Sequence, residues 1–386
     1  MDINYFFLHQ PYGRGSGRYL RYLMDYFRGK NNVNLICGMK TKHIQGVNIY
    51  TPKIPFQIPV YQGRTDVKRN IKISKINDNQ FYKLIDIFTR TGLKFIKGKN
   101  SIMHPNHCSI LPYCCSLIKE KTGIPYVISA HGTGIVSSLE SKRNFEIAKE
   151  GMKKSEFILS NSKFTAKQIK DNFKISSSKI KVIYLGVDTN EFKAPSKKMI
   201  EKVKKKYLCS GKKLVLSTGF LTKEKGHEDL IKAAKYYDSK GVATLISGKG
   251  PYYDKLKAMI KKSNLKCTHL IGWIPKEDLI ALYAAADLYV FPSRWGEPFG
   301  MVAIEAMSCK TPVIGTNAGA IPEVIAKTGI IINPKKPKEI ANAVLDNIFN
   351  AKWLDEASNK SREIVKKEFS VGMMCKNTEK IYDKIN

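Results

Sequence analysis

Residues 291–324 read FPSRWGEPFGMVAIEAMSCKTPVIGTNAGAIPEV. The stretch starts at the end of an apolar strand, Leu288 to Phe291, and crosses a loop punctuated by Pro, Ser and Gly. It turns into a helix at about Phe299 and reaches a second strand at Pro312 to Gly315. Strand, loop, helix and strand in that order are how an α/β domain presents a ligand at the carboxyl edge of a parallel sheet. The loop carries Glu297 and the helix carries Glu305, with seven residues between them.

A helix starting near Gly300 leaves the N–H groups of Gly300, Met301 and Val302 unsatisfied at its first turn, where they and the helix dipole favour an anion. Glu305 then lies roughly 7 Å further along. A diphosphate on that terminus would leave its ribose beside Glu305, whose carboxylate accepts from two hydroxyls. Glu297, at the loop end, would face whatever hangs from the other side of the diphosphate, which in a nucleotide sugar is the sugar. The plain alternative is a dipole-favoured carboxylate and a solvated helix residue. Against it, Glu305 sits among Val302, Ala303, Ile304, Ala306 and Met307, where an unpartnered carboxylate would be costly.

A chain of 386 residues is long for one domain, and two are expected. There is no run of 18 or more apolar residues, and the start, Met1-Asp2-Ile3-Asn4, lacks the pattern of a signal peptide. A cytoplasmic protein is expected, with peripheral attachment to the inner face of the membrane as an option. The eight cysteines, among them Cys209, are scattered without metal-finger spacing and read as reduced. No metal site is expected. With 66 basic against 33 acidic residues the formal charge is +33, a field that favours membrane headgroups, nucleic acid or phosphorylated substrates.

Asp2 to His9 reads as a buried first strand, followed by Gln10-Pro11-Tyr12-Gly13-Arg14-Gly15-Ser16-Gly17. Glycines in alternation between a strand and a helix allow backbone to approach a phosphate; a tight turn explains them equally well. The helix that follows, Gly17 to Lys30, has Tyr19, Leu20, Leu23, Met24 and Phe27 on one face. From Lys53 to Lys99 there are eleven Lys/Arg against three Asp, and Phe81 to Lys97 shows Phe81, Leu84, Ile85 and Phe88 at helical spacing. That helix reads as core-packed with a basic outer face, or as a membrane-surface helix. Strands at Ser101 to Pro105 and Pro125 to Ala130 flank a helix; the second runs into His131 and two glycines, where an α/β sheet meets its ligands. His104 and His107 read as structural. Strands near Phe157 to Ser160 and Lys181 to Tyr184 finish this half, and Leu185 onward reads as a hinge.

The second half repeats the alternation, with strands at Leu214 to Thr218, Thr244 to Ser247, His269 to Ile271, Leu288 to Phe291, Pro312 to Gly315 and Gly329 to Ile332. The first exits through Gly219-Phe220-Leu221-Thr222-Lys223-Glu224-Lys225-Gly226, placing a lysine at the sheet edge of Glu297, where it can neutralise a diphosphate.

These motifs resemble glycosyltransferase family 4, the retaining group with the GT-B fold. The resemblance spans nearly the whole chain and is densest in STGFLTKEKGHEDLIKA, ISGKGP, LIGWIPKEDLIALYAAADLYVFPS and EPFGMVAIEA, with GAIPE following. It implies an α/β chain of two Rossmann-like domains with parallel sheets facing across a cleft: 1–188 on the acceptor side, 189–370 for the nucleotide sugar, and 371–386 packing back on the first. It further implies that Glu305 holds the donor ribose, Glu297 contacts the transferred sugar and Lys225 stabilises the diphosphate. His131 would approach the sugar, Gly15 and Gly17 would line the site, and Trp273 with Ile274 would bound the base pocket. Gly219, Phe299, Gly300, Met301 and Val302 complete the donor set. The family usually has Arg where Phe220 stands, leaving one lysine to do what two cations normally do; Lys223, Lys249 and Arg294 are the candidates to substitute.

The activity so implied is transfer of a hexose-type sugar from a nucleoside-diphosphate sugar to an acceptor hydroxyl, with retention and without a metal cofactor. The basic first half suggests a lipid-linked or otherwise anionic acceptor at a membrane surface, as in envelope polysaccharide or glycolipid assembly, and no specific nucleic acid. A nucleotide-sugar 2-epimerase or a non-catalytic basic scaffold on the same fold are the alternatives.

Overall fold

The structure, a computed structural model, describes residues 1–13, 15–60, 71–96, 98, 100–207 and 211–385. Arg14, Lys97, Lys99 and Cys209 lie outside the described residues. The chain forms two compact units, one of Met1–Tyr184 with Met374–Asn386, the other of Leu185–Met373.

In the first unit the strands are β1 (Asp2–Phe7), β2 (Asn32–Cys37), β3 (Val47–Tyr50), β4 (Ser101–Pro105), β5 (Val127–Ala130), β6 (Phe157–Ser160) and β7 (Ile180–Val182). They form a parallel sheet of order β3-β2-β1-β4 and a second of order β5-β6-β7. The bridges Met103↔Tyr126 and Asn106↔Ser129 join β4 to β5. The order reverses between β1 and β4, so the crevice at their carboxyl ends is a topological switch point. Central strands such as β1 and β4 are buried on both faces, as parallel strands sheathed by helices must be.

Two strands, β2 and β3, are missing from the sequence reading. Their register aligns Asn4, Asn34 and Asn48. The Asn48 amide donates to Asn34 at 3.0 Å, Asn34 to Asn4 at 2.9 Å, and Asn4 to the Ile102 carbonyl at 3.1 Å. After Asn34, β2 keeps an apolar run of only Leu35 to Cys37, and after Asn48, β3 keeps only Ile49 and Tyr50, whereas β1 runs from Tyr5 to Leu8 after Asn4.

The helix Asp78–Phe95 puts Phe81, Leu84, Ile85 and Phe88 into the core of this unit. The membrane-surface alternative for this stripe is thereby corrected, because its apolar face is already covered by protein. The helix Val371–Tyr382 anchors at its C-terminal end: the Tyr382 hydroxyl lies 2.5 Å from His104 Nδ1, and Glu379 accepts from Tyr26 at 2.6 Å.

The second unit has strands β8 (Lys213–Thr218), β9 (Val242–Ser247), β10 (Thr268–Gly272), β11 (Leu288–Phe291), β12 (Val313–Thr316) and β13 (Ile330–Ile332). They form one parallel sheet of order β10-β9-β8-β11-β12-β13, the doubly wound arrangement with its switch point between β8 and β11. The helix Lys197–Lys206 buries Val203 alone, so its charge run is a solvated face. Among the described residues no helix is long and apolar enough to cross a membrane.

Candidate active site

At the second unit's switch point the loops leaving β8 and β11 meet. Lys223–Lys225 forms a 3-10 turn after β8. Lys225 Nζ donates to Glu297 Oε1 at 2.6 Å, and Ser293 Oγ donates to the same oxygen at 2.8 Å. Glu297 is 5% exposed, so its charge is compensated within the protein. The two loops approach so closely that a side chain at Gly226, whose φ is +71°, would collide with the Pro292 carbonyl. Gly319, at φ +63°, backs directly onto the Glu297 main chain. There the Ala320 N–H donates to the Glu297 carbonyl at 2.8 Å. The glycine of GAIPE is therefore a support for Glu297.

The helix after this loop is Met301–Ser308, entered through Gly300 with no side chain capping it. Its first-turn donors thus have the arrangement that favours anions. Glu305 lies on it and is 7% exposed. Contrary to the sequence expectation, this carboxylate has a partner within the protein: the Tyr283 hydroxyl donates to Glu305 Oε2 at 3.2 Å. Burial, with the Glu305 charge beside it, holds the Tyr283 phenol well above its usual range, so the hydroxyl keeps its proton.

Of the cations named as substitutes at Phe220, Arg294 is already engaged. Its guanidinium grips Asp229 through two bonds of 2.6 Å and Glu228 through one of 2.8 Å. The Arg294 N–H also donates to the Glu224 carbonyl at 2.7 Å. Arg294 thus pins the Glu297 loop to the Lys225 turn and the helix that follows it, rather than offering a charge to a ligand. Phe220 and Lys223 stand exposed after β8. Gly219 donates to the Ser247 carbonyl at 3.0 Å and Leu221 to that of Lys249 at 2.9 Å, so the β8 and β9 loops lie together. Past β10, Trp273 is 63% exposed and Ile274 is buried. Among the described residues no hydrogen bond or ring contact joins either to the Lys225–Glu297 pair.

The first unit gathers its own polar group at the β1/β4 edge. Gly15 opens the helix Ser16–Phe27, and Gly17 is buried in its first turn. His131, at the end of β5, precedes the helix Gly132–Leu139 and is 7% exposed. Its Nε2 lies 2.7 Å from Asn106 Oδ1, and Asn106 Nδ2 donates to the Ser16 carbonyl at 3.2 Å. Burial pulls the His131 ring down to about 4, so it is neutral at physiological pH. His107 reaches Ser16 Oγ at 3.0 Å and holds a φ of +90°, backbone strain of the kind that collects at functional sites. Behind them, His104 bonds Tyr382 and Ser129, and Ser129 bonds Tyr19 at 2.7 Å. Asn106, Ser16, Ser293 and Asp229 were not singled out from the sequence. The available signal was His104-Pro105-Asn106-His107 at the carboxyl end of a buried strand, where the fold collects functional side chains.

Among the described residues no three His, Cys, Asp or Glu side chains cluster as metal ligands would.

Two doubly wound α/β units, each with polar residues converging at its switch point, are the architecture of the GT-B fold. The chain belongs to the group 1 and family 4 glycosyltransferases, matching the model described as Glycosyl transferases group 1 over residues 199–366 and that of Glycosyltransferase Family 4 over residues 13–191. It is 24% identical to an uncharacterized glycosyltransferase of Methanocaldococcus jannaschii, over 90% of this chain and 95% of that one. It is also 24% identical to the N-acetyl-alpha-D-glucosaminyl L-malate synthase of Bacillus anthracis, over 87% and 88%. Among solved structures, Anabaena HepE in complex with UDP superposes with a TM-score of 0.79 at 19% identity, over all of both chains. The same protein has been crystallised with UDP-glucose.

Proposed function

We propose that this glycosyltransferase moves a hexose-type sugar from a nucleoside-diphosphate sugar to an acceptor hydroxyl, with retention at the anomeric carbon. The observation that carries the reading is the Lys225–Glu297 pair at the β8/β11 switch point, followed by the uncapped helix that bears Glu305. Cleavage of the donor leaves negative charge on the diphosphate. A fixed ammonium and the N–H groups of Gly300, Met301 and Val302, following Phe299, would meet that charge without reorganising, which is where most of the acceleration arises in such chemistry. Glu305 would take the ribose hydroxyls, Glu297 the sugar, and Trp273 with Ile274 the base, near Gly219. In the first unit, Gly15, Gly17 and His131 would meet the sugar and acceptor. The HepE complexes with UDP and UDP-glucose support a uridine donor as the first to test.

For the acceptor, the charge of +33 supports an anionic or lipid-linked molecule at the inner membrane face. Sedimentation with anionic but not neutral vesicles is expected, and no binding to either would remove that part of the reading.

The donor is tested by thermal shift with UDP, GDP, ADP and their sugars on the wild type and on Glu305→Ala. A nucleotide at a hundredfold its dissociation constant stabilises by about 2.7 kcal/mol. One nucleotide should shift the wild type and lose its effect in the variant; no shift with any of them would refute the donor site.

A further inference from the structure

The side chain of Asn106 joins two chain segments and leaves no choice about its orientation. The Ser16 oxygen it contacts is a main-chain carbonyl, which can only accept, so the Asn106 NH2 must point there. Its oxygen must then face His131 Nε2, 2.7 Å away. An oxygen cannot donate, so the proton between them belongs to the imidazole. Since burial keeps the ring neutral, its other nitrogen, Nδ1, carries a lone pair. Among the described residues Nδ1 has no hydrogen-bond partner in the protein, while the ring is braced by Tyr19 at 5.0 Å and His107 at 4.9 Å between centroids. Asn106 is 1% exposed and is itself held, its N–H donating to the Phe6 carbonyl at 2.9 Å.

We propose that Asn106 is a positioning residue that locks His131 as the Nε2–H tautomer, so that His131 Nδ1 accepts a hydrogen bond from a substrate hydroxyl. A lone pair at this point attracts O–H groups and repels phosphate and carboxylate oxygens. It thus favours a hydroxyl at this edge over an ionised oxygen. That the hydroxyl belongs to the transferred sugar or the acceptor rests on the transferase reading; the tautomer does not.

The test uses the full chain labelled with 15N-histidine and no donor. In long-range proton–nitrogen correlation spectra at pH 7.5, the ring assigned by its loss in His131→Gln should be protonated at Nε2 and bare at Nδ1. Asn106→Asp still accepts from Nε2 and should keep that pattern while raising the ring's titration midpoint. Asn106→Leu removes the acceptor and should lose the tautomer preference. Inorganic phosphate should leave the Nδ1 resonance unmoved. A wild-type ring protonated at Nδ1, or a leucine variant with an unchanged tautomer, would overturn the assignment. A phosphate-induced shift at Nδ1 would overturn the choice of a hydroxyl. If Asn106→Leu does not fold, the wild type and Asn106→Asp decide the matter.

Discussion

Lowering the pH from 7.5 to 5.5 should destabilise the first unit far more than the second. The first unit buries three imidazoles: burial pulls His104 down to about 3 and His131 to about 4, and holds His107 well below the usual value. Unfolded, each takes up a proton near 6.5. Their contribution is therefore complete above pH 6.5 and is lost as the pH falls through that value toward the folded ones, because only the unfolded chain gains the proton. At pH 5.5 each ring lowers stability by about 1.4 kcal/mol, or about 4 kcal/mol for three, against a usual domain stability of about 5–15 kcal/mol. In the second unit, among the described residues, His227 is the one ring pushed comparably far, to about 3. The protein supplies its own probe, since Trp273, Trp295 and Trp353 all lie in the second unit. Urea titrations should give far-UV dichroism that splits at pH 5.5 into an early and a late phase, with tryptophan fluorescence following the late one. His104→Gln should reduce the early loss to about 3 kcal/mol. Equal movement of the two probes, or a pH dependence unaltered by His104→Gln, would refute the reasoning.

Lys225→Ala should lower kcat by about 10²–10³-fold with the nucleotide sugar that gives the largest melting shift, the effect of deleting one preorganised charge; Lys225→Arg should recover part of it. Arg294→Lys cannot reproduce the paired bonds to Asp229 and should lose about 2 kcal/mol in urea unfolding, with activity falling as the Glu297 loop loosens. Gly319→Ala should lower stability by about 1–3 kcal/mol, since a left-handed backbone and the Glu297 main chain both oppose the methyl group, and the melting temperature will report it.

The stretch from Phe291 to Val324 was legible because its punctuation is local: glycines, prolines and a carboxylate at fixed offsets announce a loop and a helix start. The same holds for Lys225 and Glu305, whose motifs surround them. What escaped depends on side chains that meet only after folding. Arg294 stood open as a ligand cation until Asp229, 65 residues away in sequence, was seen to hold it. Glu305 had no visible partner because Tyr283 approaches from another helix. Asn106 carries no motif, and its bond to His131 arises from the carboxyl ends of β4 and β5 lying side by side. β2 and β3 were lost for the reason given above, the short apolar run left after the asparagine in each.

That asparagine ladder has a bearing on how the sequence can drift. Asn48, Asn34, Asn4 and the Ile102 carbonyl form a chain of bonds running one way across the four-stranded sheet, and Asn4 and Asn34 are buried. Exchanging Asn34 alone for leucine strands the buried oxygen on Asn4, at a cost of about 1–3 kcal/mol, while the exposed Asn48 keeps its bond to Asn32 at 3.0 Å. Exchanging Asn4 and Asn34 together leaves no such orphan between them and gives up only the Asn4 bond to the Ile102 carbonyl, so it costs less than the single exchange of Asn34. Single substitutions are therefore disfavoured where the double one is tolerated, and the two inner rungs should be inherited, or lost, as a block.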